Sequence, residues 1–244
     1  MNGMLFKTYK AVLLSILLVC LSSLASASGS EADPWEGFNR KVYGFNEVVD
    51  RYFLRPIAVS YDTVLPDVLQ NRVSSFYSNL SEINTIFNDL LQAKFAQAGS
   101  DTGRFLVNTT LGLVGFFDVA KNMGLPKSDG EDFGQTLAVW GWDDSRYLVV
   151  PFIGPRTITS FVGINVAANI GPISYVDHVP TRNTLYGIDL IQIRDKLLPA
   201  EKLITGDKYV FIREAYLQRR NYLNNDGNVV DDFSANDEEF GDDF

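Results

Sequence analysis

The sequence predicts a single all-α domain built from many short helices, with at most one short hairpin or extended segment. Apolar residues recur at spacings of three and four along most of the chain, which is the period of one helical face. Residues 147–152 have the best strand composition, and Pro151 ends it. The 244 residues contain no internal repeat and no linker rich in proline, glycine or serine, so they fit one core.

The first 27 residues have the organisation of an export signal. Lys7 and Lys10 precede an apolar run over residues 11–21, which is short for a membrane crossing of about 20 residues. Ala25-Ser26-Ala27 follows as a cleavage site. We expect cleavage after Ala27, with an uncleaved anchor as the alternative.

Cys20 is the one cysteine of the chain and lies before this site. A lipoprotein peptidase requires a small residue immediately before the modified cysteine, but Val19 stands there. Cleavage after Ala27 would also remove Cys20. We therefore favour plain secretion over lipidation of Cys20, and the sequence leaves both open. A mature chain without cysteine has neither disulfides nor thiolate chemistry.

Asp33 and Pro34 predict the start of the first helix, because aspartate can cap the first N–H groups and proline needs none. The apolar residues that follow share one helical face: Trp35, Phe38, Val42, Phe45, Val49 and Tyr52. Such a face suits a packed core, and its aromatic side chains equally suit the headgroup zone of a membrane. Arg55-Pro56 is expected to end the helix, because the residue before a proline avoids helical conformation.

Two further helices are expected in the first half of the chain. Pro66 opens a long helical stretch, which Asn79 to Ser81 divide in two, with Ser81 as the second cap. Asp101 is expected to cap the next helix, which reaches about Gly112.

The second half is expected to contain a short helix or turn at residues 133–140 and two longer helices near the C-terminus. Thr181 or Asn183 caps the first of the longer helices, which Pro199 closes. Asp207 opens the last one. Residues 28–224 thus form the predicted domain.

Residues 147–176 carry a single charge, Arg156, in thirty positions. A soluble helix of this length normally has a charged outer face. The segment is therefore either a buried central hairpin or a surface that meets lipid, and its prolines exclude one continuous transmembrane helix. If it lines a lipid path, small and uncharged polar residues would form it: Gly154, Gly163, Asn165, Asn169 and Gly171.

The residues needed for catalysis are scarce. His178 is the one histidine, so a multi-histidine zinc site is excluded and a Ser-His-Asp triad would depend on that residue. The sequence lacks the G-x-S-x-G elbow of hydrolases and the glycine-rich loops that bind nucleotides. We expect a structural His178, no enzyme, no metal and no cofactor.

The net charge of −9 is concentrated at the C-terminus. From Asn221 onward there are eight acidic residues and no lysine or arginine, so the rest of the chain is close to neutral. The absence of a basic cluster argues against nucleic acid as a partner. Residues 225–244 are expected to form an acidic, disordered tail.

Several blocks of sequence occur in a fixed order from Asp33-Pro34 and Gly37-Phe38-Asn39-Arg40 to Arg220. The later blocks are residues 55–58, 79–80, 90–92, 104–112, 115–120, 132–137, 151–155 and 213–220. Together they resemble the VacJ/MlaA family of outer-membrane phospholipid-transport proteins.

The resemblance implies a helical ring with an amphipathic central channel at the periplasmic side of the outer membrane. Such proteins remove phospholipids that have strayed into the outer leaflet. Porin trimers hold them in the membrane, and a soluble periplasmic carrier passes the lipid to an inner-membrane ABC transporter. Non-enzymatic phospholipid transport is thus the leading hypothesis. A porin-associated structural adaptor and a secreted lipid hydrolase that uses His178 are the alternatives.

Overall fold

A computed structural model describes residues 30–228. The predicted signal segment, including Cys20 and Ala27, lies outside the described residues, as does the tail from residue 229 onward. None of the helices in the described part of the chain combines the length and the apolar character that a membrane crossing requires.

The described residues are mostly helical, with one two-stranded hairpin, as the sequence predicts. The helices are α1 (Glu36–Val49), α2 (Arg55–Val64), α3 (Asp67–Leu91), α4 (Phe95–Thr110), α5 (Phe133–Val139), α6 (Ile158–Ile170), α7 (Val179–Glu201) and α8 (Lys208–Asn224). A π-helical turn, Asp50–Leu54, and two short 3₁₀ helices, Ala120–Met123 and Pro172–Tyr175, complete the helical part.

The hairpin joins β1 (Tyr147–Val150) to β2 (Gly154–Thr157) in antiparallel register. Tyr147 pairs with Thr157, and Val150 pairs with Gly154 at the turn. Gly154 has a φ of +88°, a left-handed conformation that suits glycine. Tyr147 and Val149 are buried against Tyr209 of α8, and the three side chains form a small apolar core.

Several predicted helix boundaries are confirmed. Pro66 immediately precedes α3, and residues 133–139 form a short helix. Asp207 caps α8, because its carboxylate accepts hydrogen bonds from the backbone N–H groups of Tyr209 and Val210. The cap removes two unpaired donors from the helix start.

The predicted break at Arg55-Pro56 is wrong. The chain passes from α1 to α2 through the π-helical turn, in which the N–H of Arg55 donates to the carbonyl of Asp50. In an ordinary α-helix the ring of Pro56 would clash with the preceding turn. The wider π-helical turn lies at this point, so the helix continues past the proline.

The predicted division of α3 at Asn79 to Ser81 and the predicted cap at Asp101 are also wrong. The amide of Asn79 donates to Thr109 Oγ1 on α4 at 2.9 Å, so it does not compete with the helix backbone. α4 begins at Phe95, and Asp101 belongs to its buried face rather than to its first turn.

α7 begins earlier and ends later than predicted. His178, rather than Thr181 or Asn183, is the N-cap, with Nδ1 2.7 Å from Thr181 Oγ1. Pro199 lies inside the last turn. The helix continues to Glu201, whose carboxylate accepts a hydrogen bond of 2.7 Å from Arg194.

Candidate functional site

The interior between α3 and α4 is polar. The buried polar residues of the two helices recur at helical spacing and face each other: Asn79, Glu82, Thr85, Asn88 and Asp89 on α3, and Asp101, Arg104 and Asn108 on α4. Large apolar residues of the same helices are exposed, among them Val68, Leu69, Phe87, Leu90, Phe95 and Leu106. Soluble proteins show the opposite distribution, so this polarity is inverted.

Arg104 organises one part of this polar interior. Its guanidinium lies 3.5 Å from Glu82 and 3.2 Å from Asp118, and it donates to the backbone carbonyl of Leu125. Asn108 donates to Asp118 at 3.0 Å. Burial alone would raise the pKa of Asp118, but the hydrogen bond from Asn108 and the charge of Arg104 outweigh it and lower that pKa. The network therefore pairs two buried charges, Glu82 and Arg104, with each other and joins them to the partly exposed Asp118.

A second polar network joins α3 to α5. Thr136 Oγ1 donates to Asn88 Oδ1 at 2.8 Å, and both residues are fully buried. Gln92 Nε2 donates to Glu131 at 2.8 Å and to Thr136 at 3.1 Å. The interior is thus held by side-chain hydrogen bonds where a soluble helical protein would use apolar contacts.

Two asparagines of α1 hold the backbone of the hairpin. Asn39 donates to the carbonyl of Tyr147 at 3.1 Å and accepts from the N–H of Val149 at 2.9 Å. Asn46 donates to the carbonyl of Val150 at 3.0 Å and accepts from the N–H of Phe152 at 2.8 Å. Each amide therefore satisfies one donor and one acceptor of the hairpin backbone.

Apolar spacing does not reveal this asparagine clamp, although the chain contains a signal for it. Gly37-Phe38-Asn39 recurs as Gly44-Phe45-Asn46, seven residues later. Seven residues are close to two helical turns, so the two amides point in nearly the same direction. The recurrence of this tripeptide therefore indicates two equivalent contacts with the hairpin backbone.

The predicted helix cap at Asp33 is wrong: Asp33 precedes the N-cap of α1 and lies fully buried beside the helix. Its carboxylate accepts from Asn39 at 2.8 Å, from the hydroxyl of Tyr209 at 2.5 Å and from Arg213 at 3.1 Å. Burial and the contact with Asp33 raise the pKa of Tyr209. Asp33 thus ties the segment before α1 to α8.

The predicted membrane-interface face of α1 is divided in the structure. Trp35, Phe38, Val42 and Val49 are half-buried, and Val42 packs against the small apolar core. Phe45 of α1 and Tyr52 of the π-helical turn are exposed, and the exposed apolar surface continues with Phe53 of the same turn and with Ile57, Val59 and Val64 of α2. The face thus contributes both to the core and to the exposed surface.

The tip of the hairpin extends this apolar exterior. Phe152 is 69% exposed, and its ring meets Phe45 edge-on with a centroid distance of 5.2 Å. Its φ is +64°, a left-handed conformation that costs a non-glycine residue free energy. The backbone contact with Asn46 holds Phe152 in this conformation.

A second exposed apolar turn follows α4. Leu113 and Val114 have φ values of +52° and +59°, and both side chains are exposed. Gly115 packs so closely on Asn79 that an added Cβ would lie 2.3 Å from the Cβ of Asn79. The buried asparagine therefore anchors a turn whose apolar side chains point outward.

The five residues of the predicted lipid path differ in their surroundings. Gly163 is buried, and an added Cβ there would lie 2.7 Å from the backbone nitrogen of Gly134. Asn165 and Asn169 are exposed and donate to carbonyls one turn earlier in α6. Gly154 lies in the hairpin turn, and Gly171 follows the end of α6. Gly163 thus allows α6 to approach α5 closely.

The described residues contain no group of three or more histidine, cysteine, aspartate or glutamate side chains arranged to hold a metal ion. His178 is exposed and caps α7, which agrees with the predicted structural role.

Comparison with known proteins gives a consistent result. A family model described as MlaA lipoprotein matches residues 31–223. The intermembrane phospholipid transport system lipoprotein MlaA of Escherichia coli (strain K12) is 33% identical over 234 residues, which cover 94% of this chain and 92% of that protein. An uncharacterized protein of Rickettsia typhi is 41% identical over 194 residues, which cover 77% and 76%.

A solved structure described as the structural basis for maintenance of bacterial outer membrane lipid asymmetry has the same fold. It aligns with a TM-score of 0.69 and 31% sequence identity, over 79% of this chain and 98% of that one. The family model, the relatives and the fold agree. The chain belongs to the MlaA lipoprotein family.

Proposed function

We propose that this protein acts in intermembrane phospholipid transport and maintains the lipid asymmetry of the outer membrane. The inverted polarity carries the proposal: charged and amide side chains are buried between α3 and α4, while large apolar side chains are exposed. An extensive apolar exterior is typical of a surface that meets lipid. The relatives named for phospholipid transport support the same conclusion.

The distribution of side chains suits a protein that meets lipid. Polar side chains turned inward satisfy one another, whereas apolar side chains turned outward can contact the acyl chains of a phospholipid. Moving a lipid in this way breaks no covalent bond. The protein is therefore a non-enzymatic transporter, with an amphipathic central channel as the path.

The protein lies at the periplasmic side of the outer membrane, with the exposed residues of α1, α2 and the hairpin tip in the lipid. Porin trimers hold it there, and a soluble periplasmic carrier receives the phospholipid and delivers it to an inner-membrane ABC transporter. We propose these partners because the resemblance to the VacJ/MlaA family implies them.

The test uses cells that lack this protein, in which phospholipid should accumulate in the outer leaflet and detergent resistance should fall. The native chain should restore both properties. A chain with Phe45→Asp and Tyr52→Asp should not, because each aspartate places a charge on the exposed apolar face and removes roughly 1.5–3 kcal/mol of apolar burial in lipid.

The matched control is Gln218→Asp with Asn221→Asp, two equal charges at exposed polar positions of α8, which the proposal does not place in the lipid. The control chain should restore detergent resistance. His178→Ala should also restore it, because the proposal assigns no chemistry to that residue. Full activity of the folded, exported Phe45→Asp, Tyr52→Asp chain would contradict the proposal.

A further inference from the structure

Residues 111–117, which follow α4, present five large apolar side chains to the exterior, and we call this segment the apolar turn. Each of these side chains is between 42% and 64% exposed: Leu111, Leu113, Val114, Phe116 and Phe117. The two glycines of the turn are buried, Gly112 close against Asn108 of α4 and Gly115 close against Asn79 of α3. The apolar side chains therefore point away from the helices on which the turn packs.

Much of the backbone of the apolar turn is hydrogen-bonded within the protein. The N–H groups of Gly112, Val114 and Gly115 donate to carbonyls in the last turn of α4 at distances of 2.8–3.2 Å. The N–H of Phe117 donates to the carbonyl of Gly112 at 2.9 Å. Because a backbone group that leaves water needs another partner, these bonds reduce the cost of removing the turn from water.

Two positions of the apolar turn have side chains that their backbone conformation disfavours. Leu113 and Val114 are consecutive and have φ values of +52° and +59°. Glycine and asparagine adopt this left-handed conformation readily, whereas it is unfavourable for leucine and more so for the β-branched valine. Unfavourable conformations of this kind concentrate at functional sites. Leucine and valine at these positions therefore indicate a role of the two side chains outside the fold.

Arg72 of α3 lies at the edge of the apolar turn. Its guanidinium lies over the ring of Phe117, 4.7 Å from the ring centre. Val68 and Leu69 precede Arg72 by one helical turn and are also exposed, so apolar surface continues on the other side of the charge. A guanidinium can stack on an aromatic ring while its N–H groups bind a phosphate in its own plane.

The charges beside the apolar turn favour an anionic partner. Lys121 is exposed and follows the turn by four residues. Asp118, the acid between them in sequence, already accepts hydrogen bonds from Arg104 and Asn108, which compensate its charge. Arg72 and Lys121 thus leave positive charge next to apolar surface. A phospholipid leaflet has the complementary arrangement, in which phosphates lie above acyl chains.

We propose that the apolar turn enters the boundary between the headgroups and the acyl chains of a phospholipid leaflet, where Arg72 binds a lipid phosphate. The turn is separate in sequence from α1, α2 and the hairpin tip, which the proposed function places in lipid. It is therefore a second point of attachment, and two points fix the orientation of the protein on the leaflet. The inference concerns membrane binding alone and does not depend on transport.

A fluorescent dye tests the insertion of the turn directly. The full chain with Cys20→Ser and Leu113→Cys is labelled with nitrobenzoxadiazole and reconstituted into vesicles of phosphatidylethanolamine and phosphatidylglycerol. Lipids with brominated acyl chains should quench the dye, and aqueous iodide should not. A dye on Gln218→Cys of α8 is the control, which iodide should quench. Quenching of the dye at residue 113 by iodide alone, or by neither quencher, would overturn the inference.

Asparagine substitutions separate lipid binding from folding. Leu113→Asn with Val114→Asn should weaken vesicle binding, measured by flotation, at least about tenfold, because two apolar side chains no longer enter the lipid. The urea midpoint of unfolding should not fall, since asparagine accepts the left-handed conformation. Leu113→Met with Val114→Met retains apolar side chains and should float as the native chain does. Undiminished flotation of the asparagine variant would contradict the inference.

Arg72→Gln tests the phosphate contact. It should weaken binding to vesicles that contain phosphatidylglycerol about fivefold and should affect binding to phosphatidylcholine vesicles less. Arg219→Gln is the matched control, because Arg219 of α8 also lies over an aromatic ring, that of Tyr222, at 5.1 Å. Equal losses from the two changes would contradict the role of Arg72. Loss of transport by a chain whose turn still inserts would contradict only the proposed function.

Discussion

The hairpin region and the α3–α4 pair are stabilised in different ways. Tyr147, Val149 and Tyr209 form an apolar core where the hairpin meets α8, as in a soluble protein. Between α3 and α4 the buried groups are instead charges and amides, among them Glu82 and Arg104. The first region depends on apolar burial, whereas the second depends on each polar group finding a partner.

The largest effect is expected from Arg104→Met in the α3–α4 pair. The change leaves Glu82 buried without its cation, which should lower the free energy of unfolding by about 3–5 kcal/mol. Urea unfolding in detergent measures it. Adding Glu82→Gln should recover part of the loss, because the uncompensated charge is then removed. A loss below about 1 kcal/mol would mean that this interior resembles an ordinary solvated surface.

An intermediate effect is expected from Asn46→Ala, which removes one of the two amides of the asparagine clamp. The carbonyl of Val150 and the N–H of Phe152 both lose their side-chain partner, so the loss should be about 1–3 kcal/mol. Amide hydrogen exchange at Phe152 should accelerate. Asn165→Ala is the control, because that exposed amide bonds only within its own helix. Equal effects of both changes would contradict a role for the clamp.

The smallest effect is expected from Phe152→Gly, which separates stability from membrane contact. Glycine accepts the left-handed conformation, so the variant should gain about 1 kcal/mol in stability. Its binding to phospholipid vesicles, measured by flotation, should nevertheless fall. Phe152→Tyr retains an aromatic ring and should float as the native chain does. A less stable glycine variant would show that the contact with Phe45 outweighs the strain.

The sequence predicted the helical class, the hairpin and several helix starts because these depend on local patterns. Asp207 and Pro66 are examples, since capping and proline geometry act within one turn. It failed at Arg55-Pro56 because a π-helical turn cannot be recognised from apolar spacing. The prediction at Asp101 is wrong because an aspartate before an apolar stretch usually caps a helix, whereas this fold buries Asp101 inside α4.

The site was less predictable than the fold. The composition of residues 147–176 places Gly163 on a lipid path, but composition does not reveal its close approach to Gly134, which depends on two helices distant in sequence. The buried stripe of α3 and α4 has the same period as an apolar stripe, yet it is made of polar residues. Apolar periodicity therefore does not reveal this stripe, because the periodicity of a soluble protein marks apolar residues as buried.

The π-helical turn at Asp50–Leu54 sets the rotational phase between α1 and α2. Each residue advances an α-helix by about 100°, so one residue more or fewer redirects all later side chains. Ala58 is fully buried on α2, which packs against α7, and Arg194 of α7 holds Asp50 through hydrogen bonds of 2.6 and 2.8 Å. Deleting one residue in the turn would restore regular helical bonding yet rotate Ala58 away from α7. Phase, more than local helix stability, constrains the length of this segment.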